Sequence, residues 1–280
     1  MTAAASQLFI AQPSISLAIS EMEEYYGVKL FDRISRKLYL TENGRRALQY
    51  ARHIIDLLDE MEQGVRDVDA MGRLKVGTSI TIGTYLLPGY IKRLKQQYPA
   101  LKVEASIANS ETIEQQILDN EIDVGIIEGV AHSHFILSES FAGDRLAFIC
   151  PAGHEFAGRT LEELAEVRNQ DFILREKGSA GREIFDGILA AQELNVRPIW
   201  QSASNQVILQ GVKAGLGISI LPYFLVRQGI REGELAEFRI KGLALNRKYS
   251  VIYHKNKFLP RSARTLMELC KEENETARGL

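Results

Sequence analysis

The sequence predicts an α/β chain in three parts: an N-terminal winged helix-turn-helix, a long linking helix, and a two-lobed module of alternating strands and helices. Three observations carry this. An Ala-rich stretch, Ala3-Ala4-Ala5, runs through a short turn into Gln12-Pro13-Ser14-Ile15-Ser16. An apolar seam at three- and four-residue steps follows in residues 42–70. From residue 74 onward short apolar runs alternate with amphipathic segments, the pattern of a parallel sheet covered by helices.

Residues 12–26 read as an amphipathic helix, with Ile15, Ala18, Ile19 and Met22 on one face. Pro13 suits the first helical position, where a missing N–H costs nothing. Gly27 suits the stop. Ala11 stands where a capping hydroxyl is usual, an absence that costs about 1 kcal/mol. The first turn of this helix offers Gln12, Pro13, Ser14 and Ser16, short side chains that fit the base edges of a major groove. No charged residue precedes Glu21, so nothing there repels phosphate.

Residues 28–41 read as two short strands around a basic turn, the wing. Arg33, Arg36 and Lys37 are candidates for phosphate or minor-groove contact, against the plainer reading of a solvated basic turn. Thr41 is placed to cap a long helix over residues 42–70. Its seam of Ala51, Ile54, Leu58, Met61, Val65 and Val68 predicts a partner helix, most simply from a second copy of the chain. Met71-Gly72-Arg73 breaks it.

Beyond the break, strands are expected at 74–78, 103–108 and 123–127, with helices at 86–97 and 112–119 between them. A second unit follows Cys150-Pro151, with strands at 172–174, 197–201 and 218–221 and helices at 182–194 and 205–214. A late strand at 249–254 returns to the first unit, with a closing helix at 261–271. The expected division is a winged unit over 1–41, a linker over 42–71 and a module over 72–280. Its first lobe spans about 72–148 and 249–280, its second about 149–248. Two lobes joined by two crossings make a clamp around a cleft.

Composition excludes several classes. The chain has 280 residues, 45% hydrophobic and 25% charged, with a formal net charge of -2. That is an ordinary globular balance, so any contact with nucleic acid must come from a local patch. No apolar run approaches the roughly 18 residues of a membrane span, and no secretory leader pattern opens the chain. A cytoplasmic location and no membrane partner are therefore expected. Cys150 and Cys270 form no metal or disulfide spacing. Cys150 before Pro151 reads as a buried small hydrophobe, and Trp200 as core or hinge packing. His132-Ser133-His134, and Cys150 with His154, lack a second pair of ligands for a metal. Gly178-Ser179-Ala180-Gly181 lacks the strand–elbow–helix setting and paired histidine of a serine nucleophile. Neither an enzyme nor a cofactor is expected.

An ordered string of motifs carries a family resemblance. It runs from Ala3-Ala4-Ala5 through Gln12-Pro13-Ser14-Ile15-Ser16, Glu21-Met22-Glu23-Glu24 and Gly27-Val28-Lys29-Leu30-Phe31-Asp32-Arg33 to Leu40-Thr41-Glu42-Asn43-Gly44. Later stretches, Arg175-Glu176-Lys177-Gly178-Ser179-Ala180-Gly181-Arg182 and Lys213-Ala214-Gly215-Leu216-Gly217-Ile218-Ser219-Ile220-Leu221-Pro222, extend it. In these the chain resembles the LysR-type transcriptional regulators over nearly its whole length. The resemblance implies a sequence-specific regulator that reads double-stranded promoter or operator DNA. It implies a linker helix that pairs two chains, commonly into tetramers, and a periplasmic-binding-protein-like, Rossmann-like module that senses a small effector. RNA polymerase at the promoter is a further partner in such a scheme.

Met1-Thr2 falls where family members begin their second helix, so the winged unit is expected to lack the first. Losing that wall of a three-helix core would cost on the order of several kcal/mol. A shortened start and a true short form, the latter an effector module with impaired DNA binding, both account for it.

In the resembling family the turn after the first module strand faces the cleft. Thr78, Ser79 and Thr81 are therefore effector candidates. Ser110 and Thr112 open the next helix in the same way, and Ser179 and Ser204 hold matching positions in the second lobe. Hydroxyls beside helix N-termini suit a carboxylate or small oxyanion, and suit plain N-capping equally. Glu128, at a strand end, is placed either to tune the cleft or at the surface.

Overall fold

In the computed structural model, residues 2–34, 37–66 and 72–277 are described. The chain separates into two compact units, residues 1–70 and 71–280.

The first unit holds α1 (Thr2–Leu8), α2 (Gln12–Tyr26), β1 (Phe31–Ile34), β2 (Lys37–Leu40) and α3 (Glu42–Arg66). The α2 boundaries follow its punctuation. Pro13 lies in the first turn, and Gly27 closes the helix at φ 65°. Ala11 makes no side-chain cap bond. β1 and β2 pair antiparallel, Phe31 opposite Leu40. Thr41 Oγ1 accepts the Gly44 N–H at 2.9 Å and starts α3. Gly44 is obligatory there, because a Cβ would stand 2.0 Å from the Leu30 carbonyl oxygen.

The apolar face expected on α2 is not packed: α2 has no buried residue. Ile15 and Ile19 are half-buried, Ala18 and Met22 exposed. Leu8, Phe9 and Leu17 are exposed as well. Val68 and the break at Met71 lie outside the described residues.

The second unit continues with β3 (Arg73–Ser79), α4 (Ile80–Tyr85), α5 (Leu87–Gln97), β4 (Lys102–Ala108), α6 (Ser110–Leu118), β5 (Val124–Glu128) and β6 (Ile136–Pro151). Then come β7 (Thr160–Leu161), β8 (Phe172–Arg175), α7 (Ala180–Ala191), β9 (Pro198–Ser202), α8 (Asn205–Lys213), β10 (Ser219–Pro222), α9 (Tyr223–Arg231), β11 (Leu235–Ile240), β12 (Asn246–His254) and α10 (Arg261–Ala277).

The sheet is mixed rather than parallel. β3, β4 and β5 run parallel, as the alternation of strands and helices predicts. β12 then pairs antiparallel with both β5 and β6. β6 is one 16-residue strand where the sequence suggested a lobe boundary. Its first part pairs with β12, and its last part with β10 and β11. β6 and β12 are thus the two crossings, tied where the Leu146 N–H meets the Leu245 carbonyl at 2.8 Å. The helix expected over 86–97 is preceded by the separate turn of α4.

Each lobe has its own core. In lobe I, Leu74, Val76, Val124 and Val251 pack beneath Tyr90, Leu94, Leu266 and Cys270. In lobe II, Phe148, Phe172, Phe185 and Phe238 pack ring against ring in the centre, Phe148 stacked on Phe238 and edge-on to Phe185. Cys150 is fully buried, and burial pushes its thiol up to about 11, away from reactivity. Trp200 is a correction: it is 45% exposed on β9, where the indole rests beside Gly211. β9 pairs with β8 in a two-stranded sheet, and α8 packs against only part of the indole.

Candidate functional site

Of the polar residues where β3 passes into α4, Thr81 reaches the second lobe. The Thr78 and Ser79 side chains are buried, and neither hydroxyl has a hydrogen-bond partner among the described residues. Ser79 precedes α4 without capping it. Thr81 is 2% exposed, and its hydroxyl oxygen accepts Asn205 Nδ2 of lobe II at 3.4 Å. Asn205 Oδ1 in turn accepts Arg175 Nη1 at 2.9 Å. Arg175 is buried, and its Nε and Nη2 donate to the Glu176 carboxylate at 2.8 and 3.0 Å. A polar chain, Thr81–Asn205–Arg175, therefore links lobe I to lobe II.

Beside this bridge lies a cavity of about 380 Å³. Ile80, Thr84 and Tyr85 line it from lobe I, and Ser204, Asn205 and Leu209 from lobe II. Tyr85 meets Phe224 of α9 edge-on, ring centroids 4.8 Å apart. The room suits a small molecule held by a few convergent polar groups.

The other hydroxyls have local roles. Ser179 accepts the Arg182 N–H, and Ser204 the Val207 N–H, each at 3.3 Å, as N-caps. Ser204 still borders the cavity. Ser110 Oγ donates to the Glu128 carbonyl at 3.0 Å. Thr112 is exposed, and its N–H is bound by Asn109, the cap of α6.

Glu128 is not at the surface. It is 4% exposed and lies 3.4 Å from Arg247, which also chelates Asp144. Burial opposes charge on Arg247, yet Glu128 and Asp144 outweigh it and raise the guanidinium pKa further. His132 and His134 form no metal cluster, and no group of three ligands is present among the described residues. His132 instead meets Glu114 and Glu183.

Sequence reasoning missed Arg175, Asn205 and Tyr85. Arg175 and Asn205 are 30 positions apart and meet only through the tertiary fold. The one signal was the Arg175-Glu176 pair inside the family-like loop.

In the first unit, Gln12 is exposed and Ser16 half-buried, joined by a 2.9 Å hydrogen bond. Pro13 and Ser14 are exposed beside them. The first turn of α2 is thus largely exposed. Glu23 on the same helix anchors the wing: its Oε1 accepts the Leu30 and Phe31 N–H groups at 2.8 and 3.1 Å, and its Oε2 meets Lys29 at 2.6 Å. Lys29 and those N–H groups hold the carboxyl down at about 2. Arg33 and Lys37 lie in the wing ladder, opposite Leu38 and Ile34. Arg36 lies outside the described residues.

Two family models match this chain. The LysR substrate binding domain covers residues 69–275, and the bacterial regulatory helix-turn-helix protein, lysR family, covers residues 1–45. The HTH-type transcriptional regulator YeiE of Escherichia coli (strain K12), described as uncharacterized, is 34% identical over 98% of this chain and 92% of its own. CysL of Bacillus subtilis (strain 168), an HTH-type transcriptional regulator, is 30% identical over 90% of this chain and 85% of its own. The regulatory domain of CcmR from Synechocystis PCC6803, solved in complex with 2-PG, superposes with a TM-score of 0.66. It is 24% identical over 73% of this chain and 98% of that domain. A winged unit followed by a two-lobed sensing module defines a ligand-responsive DNA-binding regulator. The chain belongs to the LysR family of transcription regulators.

Proposed function

We propose that the cleft binds a small anionic effector, a carboxylate or inorganic oxyanion, and that this binding sets how the winged unit grips operator DNA. The cavity lined from both lobes, with Thr84, Ser204 and Asn205 as its polar groups beside the Thr81–Asn205–Arg175 chain, carries this reading. Arg175 adds positive charge on the far side, screened by Glu176 and relayed through Asn205. That CcmR's regulatory domain was solved with 2-PG supports a small ligand in this type of module.

The DNA-facing residues of this reading are Gln12, Pro13, Ser14 and Ser16 for base edges, with Arg33, Arg36 and Lys37 for phosphates. The working state is a homo-oligomer in the cytoplasm. Its pairing helix is α3, which exposes Ile54, Ile55, Leu58 and Met61. RNA polymerase would be met at the promoter.

Calorimetry of the full chain against phosphate, sulfate and a set of small carboxylates tests the cleft. Saturable binding of one of them, lost in Asn205→Ala and Thr81→Ala, is the expected result. Binding unaffected by both substitutions would place the anion elsewhere. A second reading, a sensor with a weak DNA grip, is favoured by the lack of any buried residue on α2. No retention of operator DNA even at low salt would select it.

A further inference from the structure

At another edge of the cleft, the loop after β5 carries His132 into a gap between the lobes. Its Nε2 lies 2.6 Å from Glu183 Oε1 on α7 of lobe II. Its Nδ1 lies 3.3 Å from Glu114 Oε2 on α6 of lobe I. Glu114 is also fixed from behind, since its Oε1 accepts the N–H groups of His132 and Ser133 at 2.9 and 2.7 Å. A neutral imidazole has one donor and one acceptor nitrogen. Only the imidazolium donates to both carboxylates at once; the neutral ring would turn a lone pair on one of them.

We propose that His132 is a proton-operated clasp between the lobes, drawing them together when protonated and loosening them when neutral. Two neighbouring contacts keep the rim in register without titrating. The Glu111 N–H donates to the Gly178 carbonyl at 3.1 Å, and Asn109 Nδ2 to the Lys177 carbonyl at 3.3 Å. The cavity at this rim measures about 310 Å³, and its charged lining besides His132 is Glu111 and Glu114 from α6 and Glu183 from α7. None of these is a cation, and the ring faces carboxylates from both lobes; Arg247 and Lys248 line the adjoining cavity on the other side of Glu183. The imidazole is 59% exposed and exchanges protons freely with water.

The Glu183 hydrogen bond, opposed by partial burial and reinforced by Glu114, raises the imidazole above its ordinary value while the lobes are closed. A raised value in the closed state means that the clasp is complete below the ordinary imidazole range. It is lost as pH rises through the closed-state value. Proton and effector would then favour the same closed arrangement, and each would tighten the other. That coupling rests on the cleft being the effector site, but the clasp itself is tested with no ligand present.

Spin labels at Gln97→Cys in lobe I and Gln192→Cys in lobe II, both exposed, report the interlobe distance; Cys150 and Cys270 are buried. Labelled chain is diluted in unlabelled chain so that only intramolecular distances count. Between about pH 5.5 and about pH 9, either side of the imidazole range, the wild-type distribution shifts to longer distances. Glu183→Gln abolishes that shift, and the His132 ring proton resonance titrates closer to its ordinary value. A wild-type distribution that ignores pH, or a Glu183→Gln protein that responds like wild type, overturns the proposal. Absence of anion binding would overturn the cleft reading alone.

Discussion

Arg247 and Asp144 face each other across the two strands that cross between the lobes, joined by hydrogen bonds of 2.5 and 2.8 Å. Both are residues of the crossing ladder, in register on β12 and β6. The pair is nearly dry, with the Arg247 side chain 3% and Asp144 13% exposed. Removing one partner of such a pair strands the other charge in a poor solvent, at about 3–5 kcal/mol. Glu128 remains to share the guanidinium, so Asp144→Ala is expected near the lower end, about 3 kcal/mol. Denaturant unfolding of the second unit measures it. A loss below about 1 kcal/mol, the level of an exposed pair, would show the site to be wetter than this structure has it.

Gly83 decides a contest between two effects. Ala in place of Gly inside a helix is worth up to about 1 kcal/mol. Here the added Cβ would lie 2.5 Å from Thr78 Oγ1 and 3.0 Å from Ile107 Cγ2. Overpacking of this kind costs about 1–3 kcal/mol, so Gly83→Ala should destabilise. Thr78→Ala removes the nearest obstacle and one unpartnered hydroxyl. Adding it to Gly83→Ala should recover most of the loss in thermal unfolding. Strict additivity of the two changes would rule out the contact.

The Glu23 clasp predicts a pH window. A depressed carboxyl contributes stability above the ordinary glutamate range, near about pH 4.3. That contribution fades as pH falls toward the Glu23 value of about 2. The thermal midpoint of the first unit should therefore drop more steeply with acid in wild type than in Glu23→Gln. Glu23→Gln should also loosen the wing at neutral pH, seen as faster amide exchange at Leu30 and Phe31. Equal exchange in both proteins would remove the clasp.

Gln12→Ala should relax base preference at one operator position by about 1–3 kcal/mol while leaving overall salt dependence intact. Selection of binding sites from a random pool reads this directly. An unchanged preference at every position would take Gln12 off the base edges.

The parts legible in the sequence are those whose signal is local. Pro13 and Gly27 bracket α2 by their own backbone chemistry. Thr41 and Gly44 mark the start of α3, one by its hydroxyl and the other by its missing Cβ. β3, β4 and β5 were visible as apolar runs between helices. β6 was not, because Ser138, Glu139, Ser140, Gly143 and Asp144 interrupt its pattern until it enters lobe II. The sheet's mixed direction comes from β6 and β11, which went unseen, and from β12, which pairs antiparallel with β5. At the cleft, Thr78, Ser79 and Thr81 were named from the end of a strand. The bridge through Asn205 and Arg175, the buried Glu128–Arg247 contact and the His132 clasp join residues 18 to 124 positions apart. Pairings of that kind belong to the fold and leave no spacing to read.

The central claim is that an anion in the cleft alters the grip on DNA. The most direct measurement is a footprint of the full chain on its operator, with and without the anion that calorimetry selects. The account predicts that the anion changes the protected length or the binding strength in wild type and has no effect in Asn205→Ala. Identical footprints with and without anion, in a wild-type protein that binds both ligands, would contradict it.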